Sequence, residues 1–63
     1  NANLSYSNLG RADLRSVDLS YTNLYNANLS NADLYNANLS DSNLRRANLS
    51  NANLHNAKMY GVR

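Results

Sequence analysis

The sequence contains no cysteine, proline, phenylalanine, tryptophan or isoleucine, and only two glycines. Without cysteine there is no disulfide framework and no thiolate metal site. The single histidine, His55, leaves too few nitrogen ligands for a zinc site. No apolar run approaches the roughly 18 residues of a membrane-spanning helix, and no segment reads as a signal peptide, so membrane insertion is not expected. The formal charge of +2 is too small for the strongly basic footprint of a nucleic-acid-binding domain.

What remains is lopsided. Asn, Leu, Ala and Ser supply 41 of the 63 residues. Leu and Val together make up only about a fifth of the chain, at the border of disordered compositions. Asn-rich tracts are often of low complexity. A chain of this size is at most one small domain, here residues 1–63, and normally needs a staple or a partner to supplement its core. Where the leucines fall decides between disorder and fold.

Leucine stands at every fifth residue from Leu4 to Leu54, without one insertion, and Met59 takes the next position. Two residues before each of these centres stands Ala, Ser, Thr or Val. Directly before it stands Asn or Asp, except for Lys58. The chain is thus a run of A-(N/D)-L-x-x units, and fixed self-similarity points to a repeat architecture. A helix turns about 100° per residue, so a five-residue step would scatter the leucines and leave no apolar stripe. Ala-Asn-Leu alternates apolar, polar and apolar, the period of a strand. Five residues of straight strand would point the next Leu outward, so the chain must turn at each x-x pair. Repeated turning of one hand winds a solenoid of very short strands, with Leu and small residues inside and coils stacked at about 4.8 Å.

These units, in register over the whole chain, resemble the pentapeptide-repeat family. The resemblance implies an all-β fold: a right-handed quadrilateral parallel β-helix with four units per coil, hence about three coils of 20 residues. It also implies no catalytic activity and no cofactor, and a cytoplasmic or thylakoid-lumen setting. Some members mimic DNA and inhibit type II topoisomerases such as gyrase, which is the alternative function. That role calls for an acidic face and Phe at many centres, and this chain has neither.

With 20 residues per coil, residues 20 apart form columns. Asn3–Asn23–Asn43 and Asn8–Asn28–Asn48 are expected to form amide ladders. Asp13–Asp33–Asn53 stacks two carboxylates, a mildly repulsive arrangement. At the first x position, small and bulky residues alternate from Arg15 to His55, which gives bulky columns Arg15–Tyr35–His55 and Ser5–Tyr25–Arg45. Stacking of such side chains contributes roughly 0.5–1 kcal/mol per exposed contact. The second x position holds Asn26, Asn31, Asn36, Asn51, Asn56 and Gly61, which tolerate the positive φ of a type II turn. The first coil has Tyr6, Arg11, Ser16 and Tyr21 there, which predicts a different corner geometry in that coil.

Candidate chemistry is sparse. His55 has no orienting carboxylate in its sequence neighbourhood and reads as a corner residue, not a base. The Asn-Leu-Ser sequons at Asn3, Asn28, Asn38 and Asn48 follow from the repeat itself. Arg15, Arg45 and Arg46 are interspersed with acids elsewhere, so nucleic acid is not an expected partner. The clearest candidate is a protein-docking surface of Tyr6, Tyr25, Arg45 and Arg46 around one corner, since Tyr and Arg are enriched in interface hot spots. Tyr21 and Tyr60 share another corner. A three-coil stub leaves its ends open, which predicts that this chain belongs to a longer protein or that further coils or another protein cover an end. The function expected is a non-catalytic structural or protein–protein interaction module, with no small-molecule substrate.

Overall fold

The computed structural model describes all residues, Asn1–Arg63. The Asn/Asp residue of each unit forms a parallel bridge to the residue 20 positions on: Asn3 to Asn23 to Asn43, Asn8 to Asn28 to Asn48, and likewise for the other two sides. The first coil is residues 1–20, the second 21–40 and the third 41–60, with Gly61–Arg63 opening a further turn over Asp41–Asn43. The molecule measures 21 × 19 × 15 Å.

The bridges are single-residue contacts and not continuous strands. A corner every five residues leaves one residue per side in ladder geometry, which is shorter than the three-residue strand the Ala-Asn-Leu alternation suggests. Three backbone bonds per unit nevertheless tie neighbouring coils. On one side these are Leu4 N–H to the Asn23 carbonyl (2.8 Å), Tyr6 N–H to the Tyr25 carbonyl (2.9 Å) and Asn23 N–H back to the Ala2 carbonyl (2.9 Å).

Every corner has its second x residue at positive φ, including Tyr6 (62°), Arg11 (63°), Ser16 (59°) and Tyr21 (57°). The expectation of a different geometry in the first coil is therefore wrong. These four N–H groups each donate to the coil above, Arg11 to the Ser30 carbonyl (2.9 Å) and Ser16 to the Tyr35 carbonyl (2.8 Å), for example. Congruent stacking imposes the type II shape on residues that would not choose it locally. All corners close with an N–H to carbonyl bond across four residues, such as Ser7 to Leu4 (3.2 Å), except Leu19–Thr22. There Thr22 Oγ1 donates to the Ser20 carbonyl instead (3.4 Å).

The core is concentrated in the middle. Leu24, Leu29, Leu34 and Leu39 are fully buried with Ala27, Ala32 and Ala37, and Leu19 and Leu44 bound them. Leu4, Leu9, Leu14, Leu49 and Leu54 pack against this cluster from the outer coils but are only half-buried, because one side of each has no coil against it. Not every leucine centre is a core residue.

Candidate interaction surface

The Asn/Asp position has a role the sequence reading missed. In every unit but the last, Oδ1 of this residue accepts the N–H of the first x residue: Ser30 to Asn28 (3.0 Å), Ser40 to Asn38 (3.0 Å) and Ser50 to Asn48 (3.0 Å) are typical. This is an Asx turn, in which a short side chain satisfies the corner N–H that the ladder leaves free. It explains why Asn and Asp interchange, since both carry Oδ1. Serine hydroxyls at the first x position add a second donor, as Ser5 Oγ to Asn3 (2.7 Å) and Ser50 Oγ to Asn48 (2.7 Å). Lys58 offers no acceptor to Tyr60.

The amide ladders are present only in part. Asn28 Nδ2 reaches Asn8 Oδ1 at 3.3 Å and Asn43 Nδ2 reaches Asn23 Oδ1 at 3.5 Å, one rung in each column. The oxygens that accept these rungs also hold their own corner N–H groups, Asn8 that of Gly10 and Asn23 that of Tyr25.

The Asp13–Asp33–Asn53 column is relieved by its neighbours. Arg15 donates from Nε to Asp13 Oδ1 and from a terminal nitrogen to Asp13 Oδ2, both at 2.8 Å, and its Nε lies 3.9 Å from Asp33. Asn53 Nδ2 donates to Asp33 Oδ1 at 3.1 Å. Hydrogen bonding to Arg15 lowers the Asp13 pKa to about 2 from 3.8. Bonds from the Ser20 hydroxyl and N–H likewise lower that of Asp18. The guanidinium of Arg15 thus turns to carboxylates instead of stacking on Tyr35, which corrects that part of the column reading. Tyr35 and His55 do stack, with ring centroids 5.6 Å apart and planes at 16°.

Of the docking candidates, the structure brings Tyr6 and Tyr25 into edge-to-face contact, with centroids 5.8 Å apart. Arg45 stands in the column of Tyr25, its carbonyl accepting the Asn26 N–H at 2.9 Å. Arg46 stands in the column of Tyr6 and Asn26, and both arginines are exposed. One corner therefore presents a tyrosine pair below and two cations above. Tyr21 and Tyr60 are exposed on the corner they share with Asp41 and Gly61. Inside, Leu and small residues, the buried Thr22 and Ser42 among them, fill the coil, and no pocket opens on the surface. No group of three or more His, Asp or Glu side chains is placed to hold a metal ion, and no helix is long and apolar enough to cross a membrane.

The model of the pentapeptide-repeat family matches the chain in eight copies, over residues 1–34 and 27–63. No curated protein sequence matches it. Among solved structures it is similar to the pentapeptide repeat protein Rfr23 of the cyanobacterium Cyanothece 51142. That match has 43% identity and a TM-score of 0.99 over 100% of this chain and 43% of the other. A pentapeptide repeat protein of the Arabidopsis thaliana thylakoid lumen matches at 28% identity and a TM-score of 0.94, over 97% of this chain and 42% of that one. HetL of Nostoc sp. strain PCC 7120, a pentapeptide repeat protein involved in heterocyst differentiation regulation, matches at 30% identity and a TM-score of 0.53, over 97% and 38%. The chain thus spans less than half the length of these relatives. By its repeat, its 20-residue bridging period and these likenesses, it belongs to the pentapeptide-repeat family.

Proposed function

We propose that the chain is a non-catalytic module, a right-handed β-helical rod that acts by protein–protein contact within a larger assembly. The observation that carries this reading is the corner of Tyr6, Tyr25, Arg45 and Arg46. Two aromatic rings already packed against each other lose little freedom on binding, and two guanidiniums beside them provide directed donors. The repeat commits its inward positions to Leu and small residues, so chemical variety is confined to the outward corners. Such a rigid scaffold with a variable rim suits recognition better than turnover.

The test compares the native chain with Tyr25→Ala/Arg45→Ala as bait for partners from a native extract. Both must give the same circular-dichroism spectrum. Loss of a specific captured protein with the double variant supports the corner, and unchanged capture removes it from the interface.

A further inference from the structure

Stacking sorts the charges by side of the square. One side is built from residues 2–6, 22–26 and 42–46; it carries Arg45 and Arg46, with Arg63 in the ladder slot above Asn43. The next side, 7–11, 27–31 and 47–51, adds only Arg11. All four acids fall on the other two sides, Asp13 and Asp33 on one and Asp18 and Asp41 on the other. The chain is thus polarised across its width, with every carboxylate in one half and none in the other.

The arginines of the first side are left without counter-ions. Both ion pairs of the protein are made by Arg15, to Asp13 and Asp33, while Arg45 and Arg46 stand exposed and adjacent with no carboxylate partner. Guanidiniums bind carboxylates with two parallel donors, so an acidic group from outside relieves the repulsion between them. One and two coils below stand Tyr25 and Tyr6, in edge-to-face contact, with Tyr6 69% exposed. Coils stacked at about 4.8 Å put the arginines about 7 Å from the middle of the tyrosine pair, a span of about two residues of extended chain. A nucleic-acid strand suits this side less well. Two guanidiniums offset about two phosphates, where such complexes typically use about 6–10. The tyrosine planes, at 68° to each other, do not give successive bases parallel platforms.

We propose that the side of Tyr6, Tyr25, Arg45 and Arg46 docks an extended acidic segment of a partner protein. Its carboxylates take the two guanidiniums, and a bulky apolar residue about two positions away packs on the tyrosine pair. This rests on the reading of that corner as an interface and names what it recognises. The side is lateral, so coils stacked above or below leave it uncovered.

The test is fluorescence anisotropy with a labelled peptide that has two adjacent glutamates and a leucine two residues on. Each protein variant is first matched to the native circular-dichroism spectrum. The glutamate peptide should saturate with a Kd between about 10 µM and about 1 mM at low salt, and weaken severalfold in about 0.5 M salt. Its glutamine twin should bind about tenfold more weakly. The glutamate peptide should lose as much on Arg45→Ser/Arg46→Asn, which installs residues the repeat itself uses at those positions. Arg11→Asn/Lys58→Asn removes the same charge from other sides and should stay within about twofold of native. Replacing the peptide leucine by alanine should weaken binding to the native protein but not further to Tyr25→Ala. No binding at about 1 mM, equal binding of the glutamine twin, or indifference to Arg45→Ser/Arg46→Asn each overturns the proposal. So do additive losses at the leucine and Tyr25, or tighter binding of an oligothymidylate than of the peptide. If Tyr25→Ala/Arg45→Ala loses partner capture while glutamate gives no preference, the acidic segment is removed and the corner stays an interface, so the two failures are separately visible.

Discussion

At each Asn/Asp position one oxygen does the structural work. Asn48 shows this most simply: its Oδ1 accepts both the N–H (3.0 Å) and the hydroxyl (2.7 Å) of Ser50, and its amide nitrogen joins no ladder. Asn48→Ala should therefore cost about 1 kcal/mol, while Asn48→Asp stays near native, as measured by urea unfolding. Equal losses would show that the amide nitrogen matters after all. Asp13 gives a pH signature at the same scale. Its folded pKa, about 2, lies below the ordinary carboxylate value of 3.8, so its contribution is fully present above 3.8 and lost as pH falls from 3.8 toward 2. The melting-temperature gap between native protein and Asp13→Asn should be constant at higher pH and shrink across that window. Asp13 is exposed, so the gap is small and should narrow further with salt.

A single unit is one side of a coil, and its worth depends on whether it has neighbours above and below. Leu34 in the second coil is fully buried, while Leu54, directly above it in the third, is half-buried. Leu34→Ala should destabilise by about 2–5 kcal/mol and Leu54→Ala by about half of that or less, because the outer site can relax into solvent. Thermal or urea unfolding of the two variants gives the comparison, and equal losses would mean that the outer coil is as tightly enclosed as the inner. The corner belongs to this scale as well. Tyr21 adopts φ 57° and Arg46 φ 62°, close to the 59° of Asn26, although only Asn favours that region by itself. Gly61 meets a further demand, since a Cβ there would run into the carboxylate of Asp41 one coil below.

Over the whole molecule the contacts are one-dimensional: each coil touches only the next. Two consequences follow from three coils. The enclosed core is confined to the Leu19–Leu44 layer, and the bonds between coils have a fixed sense, since the N–H groups of the centre and second x residue donate to the coil above while the Asn/Asp N–H donates to the coil below.

A period of five, an inward Leu with a small residue two places earlier, and a turn at each x-x pair could all be read from residue spacing, because inside and outside are set by local alternation. The low leucine content ceased to suggest disorder for the same reason. Four sides per coil could not be read from the spacing, and it took the bridges at 20-residue intervals to fix that number. The Tyr6–Tyr25 contact, the uniform corners of the first coil and the shrinkage of the core to its middle layer were equally hidden in the sequence. Each depends on a residue about 20 positions away or on a coil lying above. Local spacing fixes which way a side chain points, and only stacking decides what it meets.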